Sequence, residues 1–156
     1  MDAATASPQE LQELYRELIL DHARSPRHFG KLEDATHQAE GINPLCGDKL
    51  KMYFAVDSDG LITDARFEGS GCAISVASAS LLTDTVIGLS TDAALGKFAG
   101  VVGALTGSAQ ADPEDLGKLA ALLGVREFPS RVKCATLSWH ALNAAINENQ
   151  EPATTE

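Results

Sequence analysis

The chain has 156 residues, of which 44% are hydrophobic and only 5% aromatic, and its formal net charge is −10 at pH 7. A chain of this length buries about 70% of the surface that it exposes when unfolded, so it does not need a metal ion merely to fold. Its negative field repels phosphate backbones, which excludes nucleic acid as a partner. The absence of a leader-like start and of a run of about 18 apolar residues argues against a membrane span, and we expect a cytoplasmic protein.

The predicted elements begin with an amphipathic helix at residues 9–24, where apolar residues recur at helical spacing until a Ser-Pro pair ends the pattern. Apolar and polar residues then alternate in residues 49–57 and 61–68. The Ser-Asp-Gly turn between these two segments predicts an antiparallel hairpin. In its second strand we expect Leu61 to share the buried face with Phe67.

A third strand is predicted from about residue 36 to residue 44. Helical composition and capping residues predict four further helices, at about residues 72–89, 91–105, 113–123 and 131–147. This order predicts a single α+β domain over residues 1–156, with an ordered core at about 9–148. We expect a small antiparallel three-stranded sheet packed against about five helices.

The three cysteines, Cys46, Cys72 and Cys134, stand where we expect a thiol to be exposed and activated instead of buried. Cys46 lies in a loop beside Pro44 and Gly47. Cys72 and Cys134 are each predicted to open a helix, where unpaired N–H groups and the helix dipole favour a thiolate. An odd number of cysteines in a chain expected to be cytoplasmic argues against a disulfide framework and favours metal binding or catalysis.

Together with Asp48, the cysteines form a candidate site of four metal ligands. Three thiolates and one carboxylate suit zinc, which takes sulfur, nitrogen or oxygen ligands in a tetrahedron, and iron is an alternative. Scattered cysteines are also compatible with small buried apolar side chains, but Cys46 and Cys72 lack the apolar, periodic neighbours of a core position. We expect the four histidines to have surface or structural roles; they are His22, His28, His37 and His140.

The residues around the cysteines resemble those of the U-type iron–sulfur cluster assembly proteins. Three segments match that family in order, namely Pro-Leu-Cys-Gly-Asp at 44–48, Gly-Ser-Gly-Cys-Ala-Ile-Ser at 69–75 and Lys-Cys-Ala-Thr-Leu at 133–137. The resemblance extends over about residues 10–147. Lys133 stands where Isc-type scaffolds have His, which makes the chain more similar to the SufU branch, and His28 stands where the family more often has Asn.

This resemblance implies a zinc-dependent sulfurtransferase. Such a protein would accept persulfide sulfur from a PLP-dependent cysteine desulfurase of the SufS type and pass it to downstream Suf scaffold proteins. Cys46 would be the sulfur acceptor, and the other implied zinc ligands are Asp48, Cys72 and Cys134. The resemblance also implies a catalytic role for Arg131, which as a residue of the first helical turn could equally be a solvated side chain.

Two other functions remain open. The same thiolates could hold iron in a scaffold on which an iron–sulfur cluster forms and is then transferred. Lys133 argues against this alternative, because a charged ammonium group cannot ligate a metal. A structural zinc domain would depend on metal binding for about 10–16 kcal/mol of folding energy, and a chain of this length makes that dependence unnecessary.

Overall fold

A mixed sheet and the helices packed against it form the fold, as seen in a computed structural model that describes residues 8–44, 47–107, 116–126, 128–148 and 153–154. The elements in chain order are helix α1 (Pro8–Arg24), strands β1 (His37–Asn43), β2 (Asp48–Val56) and β3 (Ile62–Ser70), helices α2 (Ala73–Val86) and α3 (Thr91–Thr106), a 3-10 helix (Gly117–Val125), helix α4 (Pro129–Ile146) and strand β4 (Ala153–Thr154). None of the described helices is both long and apolar enough to cross a membrane.

The sheet has the strand order β3-β2-β1-β4. Strand β2 pairs antiparallel with β1 and with β3, which confirms the predicted three-stranded antiparallel sheet and the α+β class. Strand β4 adds two residues in parallel at Gly41 and Ile42 of β1. This short addition was not predicted, because two residues show no strand periodicity.

One face of the sheet forms the core. Met52, Phe54 and Phe67 on this face are completely buried, and helix α4 packs on β1 and β2 while α2 packs on β3. The prediction that Leu61 shares this face is wrong, because 41% of Leu61 is exposed and Ile62 is buried instead. A register shift at residues 55–56 explains the error, since a bulge moves the inward positions by one residue.

Helix α2 lies against α1 on one side and α4 on another. Its alanines and serines are buried on nearly every side, which agrees with the predicted closely packed helix. Helix α3 begins as predicted at Ser90, whose hydroxyl oxygen accepts the N–H of Ala93 at 3.1 Å. Small side chains and a satisfied cap let these helices approach closely without leaving polar groups unpaired.

The helix predicted at residues 113–123 differs from the structure. Its described part is a 3-10 helix that begins at Gly117, and residues 108–115 lie outside the described residues. Gly117 has a φ of 58°, and this left-handed conformation interrupts the predicted helix there, because right-handed α and 3-10 helices both need a negative φ. The regular spacing of leucines and alanines therefore indicated a helix correctly but not its type.

Candidate metal centre

Three of the four predicted ligands meet at one end of the sheet. Asp48 begins β2, Cys72 directly precedes α2 and Cys134 lies in α4, and one ligand atom from each lies within 4.8 Å of the others. Three separate segments of the chain thus contribute to one group, as the sequence predicted. The fourth predicted ligand, Cys46, lies outside the described residues.

Asp48 is held by hydrogen bonds although its side chain is buried. Only 1% of the residue is exposed. Its Oδ1 accepts the backbone N–H of Cys72 at 2.8 Å, and its Oδ2 accepts the hydroxyl of Ser75 at 2.7 Å. A Cβ atom at Gly71 would lie 2.8 Å from Oδ1, so only glycine lets the chain close on the carboxylate at this point. The carboxylate is therefore oriented by the fold itself.

Cys72 is the N-cap residue of α2, which confirms the prediction that it opens a helix. The residue is half-buried, and its Sγ lies 3.6 Å from the hydroxyl oxygen of Ser75. Burial raises the pKa of Cys72, but the backbone N–H and hydroxyl of Ser75, together with the Cys134 thiol, lower it more. The net pKa lies below the ordinary value, which favours the thiolate that a metal binds.

Cys134 differs from the prediction in two ways. It is completely buried instead of exposed, and it is the sixth residue of α4, whereas it would be about the fourth residue of the helix predicted at about residues 131–147. The helix starts early because Pro129 suits the first helical position, where no N–H is needed. Cys134 is therefore one turn away from the free N–H groups of the helix end. A side-chain donor is present instead, since Asn43 Nδ2 lies 3.7 Å from Cys134 Sγ.

Two residues that contact the ligands were not predicted, Ser75 and Asn43. Ser75 is completely buried and touches all three segments, since its hydroxyl also lies 3.3 Å from the carbonyl oxygen of Cys134. Its position three residues after Cys72 places both on one helix face, which is a usable sequence signal. Asn43 pairs with Asp48 in the β1–β2 register, a contact that the sequence alone does not show.

Arg131 and Lys133 are not part of this group. Arg131 is exposed in the first turn of α4, where its backbone N–H donates to the carbonyl oxygen of Phe128 at 2.8 Å. Within the described part of the chain, its side chain makes no ion pair. Lys133 lines a separate cleft together with Arg126 and His140. Lys133 and His140 are seven residues apart and therefore share a helix face that Cys134 does not occupy.

His22 and His28 each contact a hydroxyl group of α2. His22 is 2% exposed, and its Nδ1 lies 2.7 Å from the hydroxyl oxygen of Ser80. His28 lies 3.2 Å from the hydroxyl oxygen of Thr83 and has a φ of 58°. Histidine, like asparagine, adopts this left-handed conformation more often than most residues do. Among the described residues, no histidine joins the ligand group.

The donor set fits a zinc ion. Two sulfurs that are each about 2.3 Å from one tetrahedral zinc are about 3.8 Å apart, so atoms that already lie within 4.8 Å of one another need to close by only about 1 Å. Two thiols and one carboxylate would leave one of four positions for a further ligand. The same donors also suit iron, because iron binds thiolates in clusters.

The fold and the site together define an α+β domain with a candidate metal site whose donors include two sulfurs. The model of the family described as the NifU-like N terminal domain matches residues 14–135. The chain is also 41% identical over 140 residues to a Bacillus subtilis protein named zinc-dependent sulfurtransferase SufU, which covers 90% of this chain and 94% of that protein. The chain therefore belongs to the NifU-like N-terminal domain family of iron–sulfur cluster assembly proteins.

Relatives with a different name are almost as similar. An iron–sulfur cluster assembly scaffold protein IscU of Streptococcus pyogenes is 39% identical over 140 residues, covering 90% of this chain and 87% of that protein. A crystal structure titled as a putative iron–sulfur cluster assembly scaffold protein for the SUF system, from Fervidobacterium islandicum, has a TM-score of 0.80 and 35% identity, covering 86% of this chain and 98% of that one. The names thus divide between sulfur transfer and scaffolding.

Proposed function

We propose that the protein is a zinc-dependent sulfurtransferase of the cytoplasm, which accepts persulfide sulfur from a PLP-dependent cysteine desulfurase of the SufS type. The observation that carries this proposal is the group formed by the buried Asp48 and Cys134 and the half-buried Cys72, which leaves one tetrahedral position for Cys46. The 41% identity to a protein named zinc-dependent sulfurtransferase SufU supports the choice of activity. Downstream Suf scaffold proteins would receive the sulfur.

The four predicted ligands have unequal roles in this proposal. Cys72, Cys134 and Asp48 would hold the zinc, and Cys46 would complete the site and leave it to accept sulfur. A bound zinc supplies positive charge that keeps coordinated thiols deprotonated. Cys134 is completely buried and cannot meet a sulfur atom presented on a partner's surface. Cys72 is fixed beside Ser75 at the start of α2, so the remaining thiol is assigned as the acceptor.

The transfer itself is a thiol exchange without net oxidation. The thiolate sulfur of Cys46 attacks the terminal sulfur of the persulfide on the desulfurase cysteine. A new S–S bond forms to Cys46, the S–S bond on the desulfurase breaks, and the desulfurase cysteine leaves as a thiolate. Arg131, exposed three residues before Cys134, would supply a positive charge for the incoming anion.

The test is desulfurase turnover together with metal content. The native protein is expected to contain one zinc ion and to stimulate release of sulfur from cysteine by a SufS-type desulfurase. The Cys46→Ala variant should lose this stimulation while keeping its thermal unfolding midpoint. If the Cys46→Ala variant stimulated the desulfurase as fully as the native protein does, Cys46 would not be the acceptor.

A scaffold function is the second candidate, because the two described thiols and Asp48 also suit iron and the IscU relative at 39% identity is named a scaffold. Lys133 argues against it, since a charged ammonium cannot ligate iron and its side chain lines a different cleft. Anaerobic reconstitution with iron and sulfide distinguishes the two functions. A stable, transferable cluster that forms in the presence of zinc would favour the scaffold.

A further inference from the structure

Asn43 is a buried polar residue in contact with two of the grouped ligands. Only 1% of the residue is exposed. Its Nδ2 lies 3.4 Å from Oδ2 of Asp48 and 3.7 Å from Sγ of Cys134. One amide group therefore bridges β2 and α4 at the point where the ligand atoms meet.

The direction of this amide follows from the charges around it. If the amide were turned over, its oxygen would face the carboxylate of Asp48, and two acceptors would repel each other. The observed orientation leaves Oδ1 of Asn43 without a hydrogen-bond donor among the described residues, although it is buried. An unpaired buried carbonyl oxygen costs free energy. The contacts of Nδ2 with the two ligands therefore determine the orientation.

Asn43 also provides what the position of Cys134 lacks. Because Cys134 lies one turn inside α4, the free N–H groups of the helix end do not stabilise its thiolate. The amide of Asn43 donates toward that sulfur and toward the carboxylate that must lie beside it. Hydrogen bonds of this kind, made to ligands by residues that do not bind the metal, orient a site before the metal enters.

We propose that Asn43 is a positioning residue of the metal centre, whose side-chain amide holds Asp48 and Cys134 at ligating separation. This inference rests on the proposed metal site and adds a determinant of its affinity. Asn43 is distinct from the ligands in this orientation, because the atom turned toward them is Nδ2, an amide nitrogen with no free electron pair for a metal.

The test compares two Asn→Leu variants. Asn43→Leu keeps the approximate volume but removes the amide, and it should weaken Zn²⁺ binding about 10- to 100-fold in chelator competition. It should also shift the sulfur-to-metal absorption band of the Co²⁺-loaded protein. Asn143→Leu is the control, because it removes an amide of α4 whose oxygen accepts from Asn147 at 2.9 Å and which makes no hydrogen bond to the ligands. It should change neither the Zn²⁺ affinity nor the absorption band.

The outcomes separate a positioning role from a purely structural one. Unchanged Zn²⁺ affinity in Asn43→Leu would overturn the inference even if its metal-free form were less stable, because the amide would then serve only the hairpin. If the native protein bound no Zn²⁺, the proposed function would fail first and the inference with it.

If Asn43→Leu does not fold, nuclear magnetic resonance on the native protein tests whether Asn43 is a positioning residue. The side-chain amide signal of Asn43 should move during titration with Zn²⁺ while that of Asn143 stays in place. A stationary Asn43 signal in a protein that binds Zn²⁺ would overturn the inference.

Discussion

Helix α2 has a buried polar cluster near each end, and the two clusters are completed in different ways. Near its C-terminal end, the hydroxyl oxygen of Ser80 accepts the backbone N–H of Arg27 at 2.8 Å and lies 2.7 Å from Nδ1 of His22. Thr83 donates to the carbonyl oxygen of Ser80 at 2.8 Å. Neutral donors and acceptors match one another in this cluster. It needs nothing from outside the chain.

At the N-terminal end of α2, the groups around Ser75 carry negative charge in their metal-binding form. The carboxylate of Asp48 and the sulfurs of Cys72 and Cys134 lie within 4.8 Å of one another. Like charges at this separation repel, and the hydroxyl of Ser75 is a neutral donor. In that form, the proposed zinc ion would balance the charge of this cluster. A buried polar cluster thus indicates a binding site when its charges do not balance, and a structural contact when they do.

The largest expected effect comes from removing a ligand. If about 10–16 kcal/mol of zinc binding is shared by four ligands, each contributes about 3 kcal/mol, or about 100-fold in affinity. Cys134→Ser should therefore weaken Zn²⁺ binding by about 100-fold in chelator competition. Ser138→Ala, which alters a completely buried hydroxyl in the same helix, is the matched control and should leave the affinity unchanged. Equal affinities of the two variants would remove Cys134 from the site.

A smaller effect is expected from Gly71→Ala. The new Cβ would lie 2.8 Å from Oδ1 of Asp48, so the carboxylate must move, and zinc affinity should fall by about 10-fold. Gly96→Ala is the control, because a Cβ there meets no atom within 4 Å. Isothermal titration with Zn²⁺ measures both variants. A Gly71→Ala variant with native affinity would show that the orientation of Asp48 does not matter.

The smallest effect concerns the pH dependence of stability, to which His22 in the cluster around Ser80 contributes. Burial, with a further contribution from the Arg27 cation, lowers the pKa of His22 below its ordinary value of 6.5. As the pH falls below 6.5, the unfolded chain binds a proton that the folded chain does not, so stability is complete above this pH and declines below it. His22→Asn, which keeps an acceptor for Ser80, should reduce this decline.

Urea unfolding of the metal-free protein at about pH 7.5 and about pH 5.5 measures this difference. His37→Asn is the control variant, because His37 lies outside this cluster, 2.8 Å from the hydroxyl of Thr36 and 3.7 Å from the exposed Glu148. Burial also lowers the pKa of His140, so part of the decline should remain in His22→Asn. If the stability of His22→Asn fell between the two pH values as much as that of the native protein, the cluster would tolerate a charged imidazole.

The sequence predicted those features that depend on local periodicity or on segment order. Alternating residues predicted the antiparallel strands, and the placement of Asp48 and Cys72 beside predicted element ends led to a group of residues that the fold brings together. The prediction for Leu61 was wrong because a bulge cannot be seen in alternation. The predicted exposure of Cys134 was wrong because α4 packs on β1, β2 and α2, and such contacts between distant segments leave no local pattern. The roles of Cys46 and Arg131 stay predictions.

The contacts made by side chains from distant segments were not predictable. Asn43 and Ser75 come from different elements and meet Asp48 only after the hairpin closes on α2. No pattern in one sequence reports such a contact, since burial of a polar residue breaks the periodicity rules that locate apolar ones. The imbalance of charge in the site is therefore a property of the folded chain.

The location of transferred sulfur tests the central claim most directly. The zinc-loaded protein is incubated with a SufS-type desulfurase and cysteine, alkylated, digested and analysed by mass spectrometry. The account predicts one added sulfur atom on the peptide that contains Cys46 and none on the peptides of Cys72 and Cys134. Added sulfur on Cys72 or Cys134, with none on Cys46, would contradict it.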